Sequence, residues 1–170
     1  MLWKPIFAAA CIAVVPLGAA AAPSMGDRVF TLSGSGSSDD SLDNNVFNAS
    51  FDIGQFMTEQ TLVGIRQSAG VVDTEAGSSW NGSTRVFADY HFDLNDWQPF
   101  LGANLGGVYG DGVDETFFAG PEAGVKYYVK NDTFVQVQAE YQVFFDNSND
   151  VESNYDDGAF VYSAGIGFNF

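Results

Sequence analysis

From about residue 28 onward the chain is organised by a period of two. In DTFVQVQAEYQVFFD (132–146) Val135, Val137, Ala139, Tyr141, Val143 and Phe145 are all apolar, and Gln136, Gln138, Glu140 and Gln142 lie between them. Alternation of this kind makes a strand with one oily face and one polar face. The pattern returns over 79–93, where Trp80, Val86, Ala88, Tyr90 and Phe92 oppose Arg85, Asp89 and His91. Over 96–110, Trp97, Leu101, Ala103, Leu105 and Tyr109 oppose Gly102, Asn104 and Gly106. Over 116–130, Phe117, Ala119, Ala123, Val125, Tyr127 and Val129 oppose Glu122, Gly124 and Lys126. Earlier, Phe47, Ala49, Phe51 and Ile53 mark one strand, and Val63 and Ile65 beside Arg66 mark another. The chain closes on Phe160, Tyr162, Ala164, Ile166, Phe168 and Phe170, alternating with Ser163, Gly165, Gly167 and Asn169. With a weaker first strand over 29–36, the sequence predicts eight strands.

The expected connections alternate in length. Short ones fall at MTEQ (57–60), DLND (93–96) and KND (130–132), and long ones at SSDDSLDN (37–44), VDTEAG (72–77), DGVDE (111–115) and 146–157. Tight turns at one end and long loops at the other describe an antiparallel up-and-down meander. An even strand count lets it close with no free edge, so the expected fold is all-β, a closed eight-stranded antiparallel barrel. Pro121 falls inside a strand, where it removes a ladder donor, and predicts a bulge or a missing bond.

Size decides which face points outward. The apolar faces carry about a dozen Phe, Tyr and Trp, more bulk than the lumen of an eight-stranded barrel holds. The polar faces are rich in glycine and poor in charge, unlike the outside of a soluble protein. Oily-out and polar-in is the arrangement of a transmembrane barrel, and a soluble lipocalin-like binder is the alternative. Aromatics cluster toward both strand ends, with Tyr90, Phe92, Trp97 and Tyr127 at the short turns and Phe47, Trp80, Tyr109, Phe117 and Phe145 near the long loops. Two such belts suit two membrane interfaces. The interior is then expected to hold Asp52, Arg66, Arg85, Asp89, Glu122, Lys126 and Glu140. Charges in so narrow a space require partners, so these predict a salt-bridged plug with Arg66, Arg85, Glu122 and Glu140 near mid-height.

Residues 1–22 read as a secretory signal: Lys4, an apolar stretch over 6–17 and the small residues 18–22, with cleavage expected near 20–22. The barrel domain is then 23–170. The only cysteine, Cys11, leaves with the signal, so no disulfide or thiolate site is expected. Without Lys4, five basic residues face 22 acidic ones, a net charge near −17. That excess argues against nucleic acid as a partner. Thirteen of the acidic residues lie in the four long connections.

QPFLGANLGG (98–107), AGPEAGVKYYVKNDTFVQVQAEYQ (119–142) and the last strand together resemble the small eight-stranded outer-membrane barrels, the OmpA-like transmembrane and OmpX-like group. The resemblance implies a bacterial outer-membrane location, with lipid and lipopolysaccharide around the barrel, both termini in the periplasm and the acidic loops outside. It implies fold far more than activity. Tyr162, Ile166, Phe168 and Phe170 also resemble the terminal signal read by the outer-membrane assembly machinery. No peptidoglycan-binding domain is expected after Phe170.

Candidate chemistry is sparse. His91 is the sole histidine. Related lipid A-modifying barrels place their catalytic His or Ser at the loop side, whereas His91 falls at the short-turn end, where a hydrogen bond to Asp89 or Asp93 is expected. The acidic loops lack the spacing and central glycine of an EF-hand, so diffuse cation association beside lipopolysaccharide is expected rather than a specific metal site. NAS (48–50), NGS (81–83) and NDT (131–133) match a glycosylation triplet that carries little meaning in a bacterial envelope. The sequence therefore assigns no catalytic residue, cofactor or metal. It predicts a monomeric, non-enzymatic barrel with a structural or adhesion-type role toward an unidentified surface ligand. A narrow channel and a lipid A-modifying enzyme are the alternatives.

Overall fold

The computed structural model describes residues 23–38, 45–74, 77–111, 116–145 and 158–170. The leader and its cleavage point lie outside the described residues, as do all the loop-cluster acids except Asp73 and Asp111. Eight strands follow in order: β1 (Arg28–Ser38), β2 (Asn45–Phe56), β3 (Thr61–Thr74), β4 (Gly77–His91), β5 (Trp97–Gly110), β6 (Thr116–Tyr128), β7 (Thr133–Phe145) and β8 (Gly158–Asn169). Each pairs antiparallel with its neighbours in sequence, and β1 pairs with β8 to close the barrel. All eight have 11 to 15 residues, enough for the roughly 9–11 that a tilted strand needs to cross a bilayer.

The terminal aromatics are structural. Phe168 is the register partner of Phe30, and Ile166 of Leu32. Phe170 N donates to Arg28 O and Arg28 N to Phe170 O, both at 2.9 Å. The final residue is thereby stitched into the closing seam, where a loose tail would leave backbone groups unpaired in lipid.

The short turns sit where expected. Met57 N donates to Thr61 O at 2.8 Å and Val129 N to Thr133 O at 2.9 Å. Between β4 and β5, Asn95 adopts a left-handed φ of 63°, which Asn tolerates better than most residues, and Asp93 Oδ1 accepts from Asn95 N. At Pro121 the sheet loses pairs but gains no residue. Ala119 opposes Val143 and Glu122 opposes Glu140 in one unbroken register, while Gly120 and Pro121 have no β7 partners. Proline supplies no N–H, and a Cβ at position 120 would collide with the Tyr141 carbonyl. The expected disturbance is therefore a missing bond without a bulge.

Side-chain burial follows the alternation. Leu32, Phe51, Ile53, Ile65, Val86, Leu101, Leu105, Val137 and Ile166 are exposed around the outside, while Thr31, Asp52, Arg66, Arg85, Glu122, Lys126, Gln138 and Glu140 are buried within. An outer wall this apolar over the middle of every strand is a lipid-facing surface. No helix among the described residues is long and apolar enough to cross a membrane; the crossing is made by strands.

Candidate functional site

Like charges stand side by side in the sheet. Arg66 on β3 is the direct register partner of Arg85 on β4, and Glu122 on β6 is the partner of Glu140 on β7. Either pair alone would be destabilising. They occupy opposite walls of the lumen, and each resolves the other. Arg66 Nη1 donates to Glu122 Oε2 at 3.1 Å and to Glu140 Oε2 at 3.4 Å, its Nη2 to Glu122 Oε1 at 3.3 Å and Gln138 Oε1 at 3.2 Å, and its Nε to Asp52 Oδ1 at 2.9 Å. Arg85 Nη1 pairs with Glu140 Oε1, and its Nη2 reaches Ser68 Oγ at 2.9 Å. Asn104 Nδ2 donates to Glu122 and Gln142 Nε2 to Glu140. A planar guanidinium with five donors suits this many-handed bridging. The result is a strut across the barrel that joins β2, β3 and β4 to β6 and β7.

Below this layer, toward the short turns, the lumen is filled by hydrocarbon. Val29, Phe56, Leu62, Phe87, Tyr128 and Phe134 form one buried cluster, and Phe100 lies buried beside it. Three of these rings lie over glycines of the adjoining strand: a Cβ at Gly64, Gly124 or Gly167 would strike Phe87, Phe100 or Phe134 respectively. The inner-face glycines are thus seats for aromatic rings in a space too narrow for two side chains side by side. Lys126 rises through this plug. Its Nζ has no hydrogen-bond partner among the described residues and lies 4.8 Å from the centroid of Phe134 and 5.8 Å from those of Phe56 and Phe100. Ring faces attract a cation electrostatically.

No protein-family model and no curated protein match the sequence. Solved structures do. The N-terminal β-barrel domain of Pseudomonas aeruginosa OprF aligns at TM-score 0.58 and 19% identity, over 86% of this chain and 98% of that one. Neisserial surface protein A aligns at 0.55 and 18%, over 85% and 96%. Outer membrane protein OprG from Pseudomonas aeruginosa aligns at 0.56 and 11%, over 86% and 97%. The chain has the fold of the small outer-membrane β-barrels. In this fold the apolar exterior forms a lipid-facing wall and the charged interior is sealed from it.

The structure brings five of the expected interior charges into one layer: Asp52, Arg66, Arg85, Glu122 and Glu140. Lys126 stands on the turn side of it, and Asp89 and Glu122 flank Gly102, the register partner of both. Asp89 Oδ1 lies over Gly102 with no hydrogen-bond partner among the described residues. His91 sits in the lumen, among the rings of the plug. Its ring is stacked on Phe100 at 5.2 Å and tilted against Phe56 at 5.3 Å, and its nitrogens make no hydrogen bond to the Asp89 or Asp93 side chains. Tyr162, Ile166 and Phe168 of the terminal signal are exposed on the outer face, and so is Phe170.

Two features of this barrel escaped the sequence reading. The aromatic plug is one, although its signal is present: Phe87, Phe100 and Phe134 all fall on the polar parity of their strands. The other is a polar triad on the lipid face. Gln67 Nε2 donates to Tyr109 Oη at 2.6 Å, Thr84 Oγ1 lies 2.6 Å from Gln67 Oε1, and Thr84 and Tyr109 hydroxyls are 3.1 Å apart. Their hydrogen bonds are closed among themselves, as polar groups facing lipid require. Gly82 leaves room for the Tyr109 ring to fold down onto Thr84. Registers two strands apart made that closure invisible to a strand-by-strand reading.

Proposed function

We propose that the protein is a non-enzymatic, closed barrel of the bacterial outer membrane whose work is structural or directed at the cell surface through its acidic loops. In this reading residues 1–22 are removed on export, the barrel is inserted by the outer-membrane assembly machinery, and its loops lie among lipopolysaccharide. One observation carries it: the lumen is crossed by a bonded ion layer and then filled by an aromatic plug. An ion passing through would have to break the Arg66 and Arg85 bridges and then pass an apolar section with no room for a hydration shell. The position of His91, enclosed between rings at the turn end, supports a non-catalytic role, since a lipid-modifying group must meet its substrate.

Planar-bilayer recording tests the closed lumen. The purified barrel is expected to give no steady conductance, and Arg66→Ala combined with Phe134→Ala is expected to open discrete channels. Channels of constant size from the unmodified protein would contradict the reading. Mass spectrometry of lipid A from cells making the protein or its His91→Ala variant is expected to give identical spectra; a modification lost with His91 would make it an enzyme.

A further inference from the structure

The loop-side half of the lumen is not filled. Beyond the ion layer lies a cavity of about 390 Å³, within the range of roughly 300–1,000 Å³ usual for small-ligand sites. Its walls differ in chemistry. From β1 to β4 come hydroxyls and amides: Ser35, Asn48, Ser50, Ser68, Asn81 and Ser83. From β5 to β8 come Val108, Phe144 and Val161 interleaved with Thr116, Gln142 and Ser163, and Arg66, Arg85, Gln138 and Glu140 line the floor.

The polar wall is built closely. Gly70 stands between Asn48 and Asn81 as the register partner of both, and a Cβ there would collide with both amide oxygens. The bare backbone lets the two amides converge from neighbouring strands. At the floor, Arg85 Nε is buried and has no hydrogen-bond partner among the described residues.

Donors and acceptors around most of the wall, with an apolar patch of Val108, Phe144 and Val161, match a solute that has both. A pyranose ring does: hydroxyls radiate from its edge while its C–H groups form an apolar face that packs on a ring such as Phe144. Charge selects further. The ion layer below sets two cations, Arg66 and Arg85, against three carboxylates, Asp52, Glu122 and Glu140. That field repels anions. We propose that this vestibule binds a neutral sugar residue. The site goes beyond the surface-display reading and does not rest on it, because a sugar seated above the ion layer fits whether or not the lumen conducts.

Saturation-transfer NMR on the full chain purified in detergent tests the site, using glucose, galactose, N-acetylglucosamine and glucuronate as probes and heat-modifiable gel migration to verify folding. At least one neutral sugar is expected to receive transfer, with glucuronate lower. Ser83→Phe, which fills the vestibule, is expected to abolish it, and Asn81→Ala to reduce it about fivefold through a lost hydrogen bond. Should Ser83→Phe fail to fold, the Asn48→Ala and Asn81→Ala double variant, which only removes volume, replaces it and is expected to lose transfer. No transfer to any of the three neutral sugars overturns the proposal. So does transfer unchanged by the vestibule variants, which puts the sugar elsewhere on the protein, and so does transfer to glucuronate equal to that of the neutral sugars.

Discussion

Arg66 and Lys126 are both buried cations on inward strand positions, and the barrel treats them in opposite ways. Arg66 is held by three carboxylates drawn from β2, β6 and β7. Lys126 is held by ring faces, with no salt bridge to a carboxylate among the described residues. The register explains the divergence. Arg66 and Arg85 are adjacent and meet an adjacent pair of glutamates across the lumen, so charges cancel as a group. Lys126 lies on the turn side of that layer, with Gln98 and Gln136 as register partners and the rings of Phe56, Phe100 and Phe134 around its Nζ. A narrow barrel can therefore satisfy a buried cation either by a bonded strut or by a polarisable cage, and the two should respond differently to mutation.

The largest effect is expected at the strut. Arg66→Ala leaves Asp52, Glu122 and Glu140 without their shared partner, and a buried pair broken from one side costs about 3–5 kcal/mol. The loss is read from the urea midpoint of unfolding in phospholipid vesicles; an unchanged midpoint would mean that the layer is not a strut. Next comes the ring seat. Gly167→Val pushes Phe134 out of its place and overpacks the plug by about 1–3 kcal/mol, measured in the same way. A change under that range would show that the ring relocates freely and that the plug is loosely packed. The smallest effect is expected at the cage, where Lys126→Met puts a hydrophobe of similar length among the three rings and changes stability by no more than about 1 kcal/mol, as hydrophobic replacement of buried ions often does. A loss equal to that of Arg66→Ala would erase the distinction between strut and cage.

Most of the fold was legible because barrel strands obey one rule, inside or outside at every second residue. The eight strands, the three tight turns, the outward faces and the break at Pro121 all follow from parity and from proline's missing donor. The interior charges were legible for the same reason: Arg66 and Glu140 each interrupt the polar face of an otherwise regular strand. Their partners were less so. Parity places a side chain inside but does not say which residue of a distant strand stands at the same height, so the meeting of Arg66 with Glu122 and Glu140, three and four strands away, required the closed register. The plug was missed because the outward aromatics were weighed as a class, while Phe87, Phe100 and Phe134 sit on the opposite parity. Parity likewise put His91 inside without showing the rings of Phe56 and Phe100 against it.

The account depends above all on the outer wall meeting lipid. Trp80 and Trp97, both about half exposed at opposite ends of the barrel, report on that wall directly. After reconstitution into vesicles of phosphatidylcholine brominated near the head-group end of the acyl chain, strong quenching of the emission of both tryptophans is expected, together with protection from aqueous acrylamide. Emission untouched by brominated lipid and quenched by acrylamide would place the rings in water or in a soluble core, and would contradict the barrel's orientation.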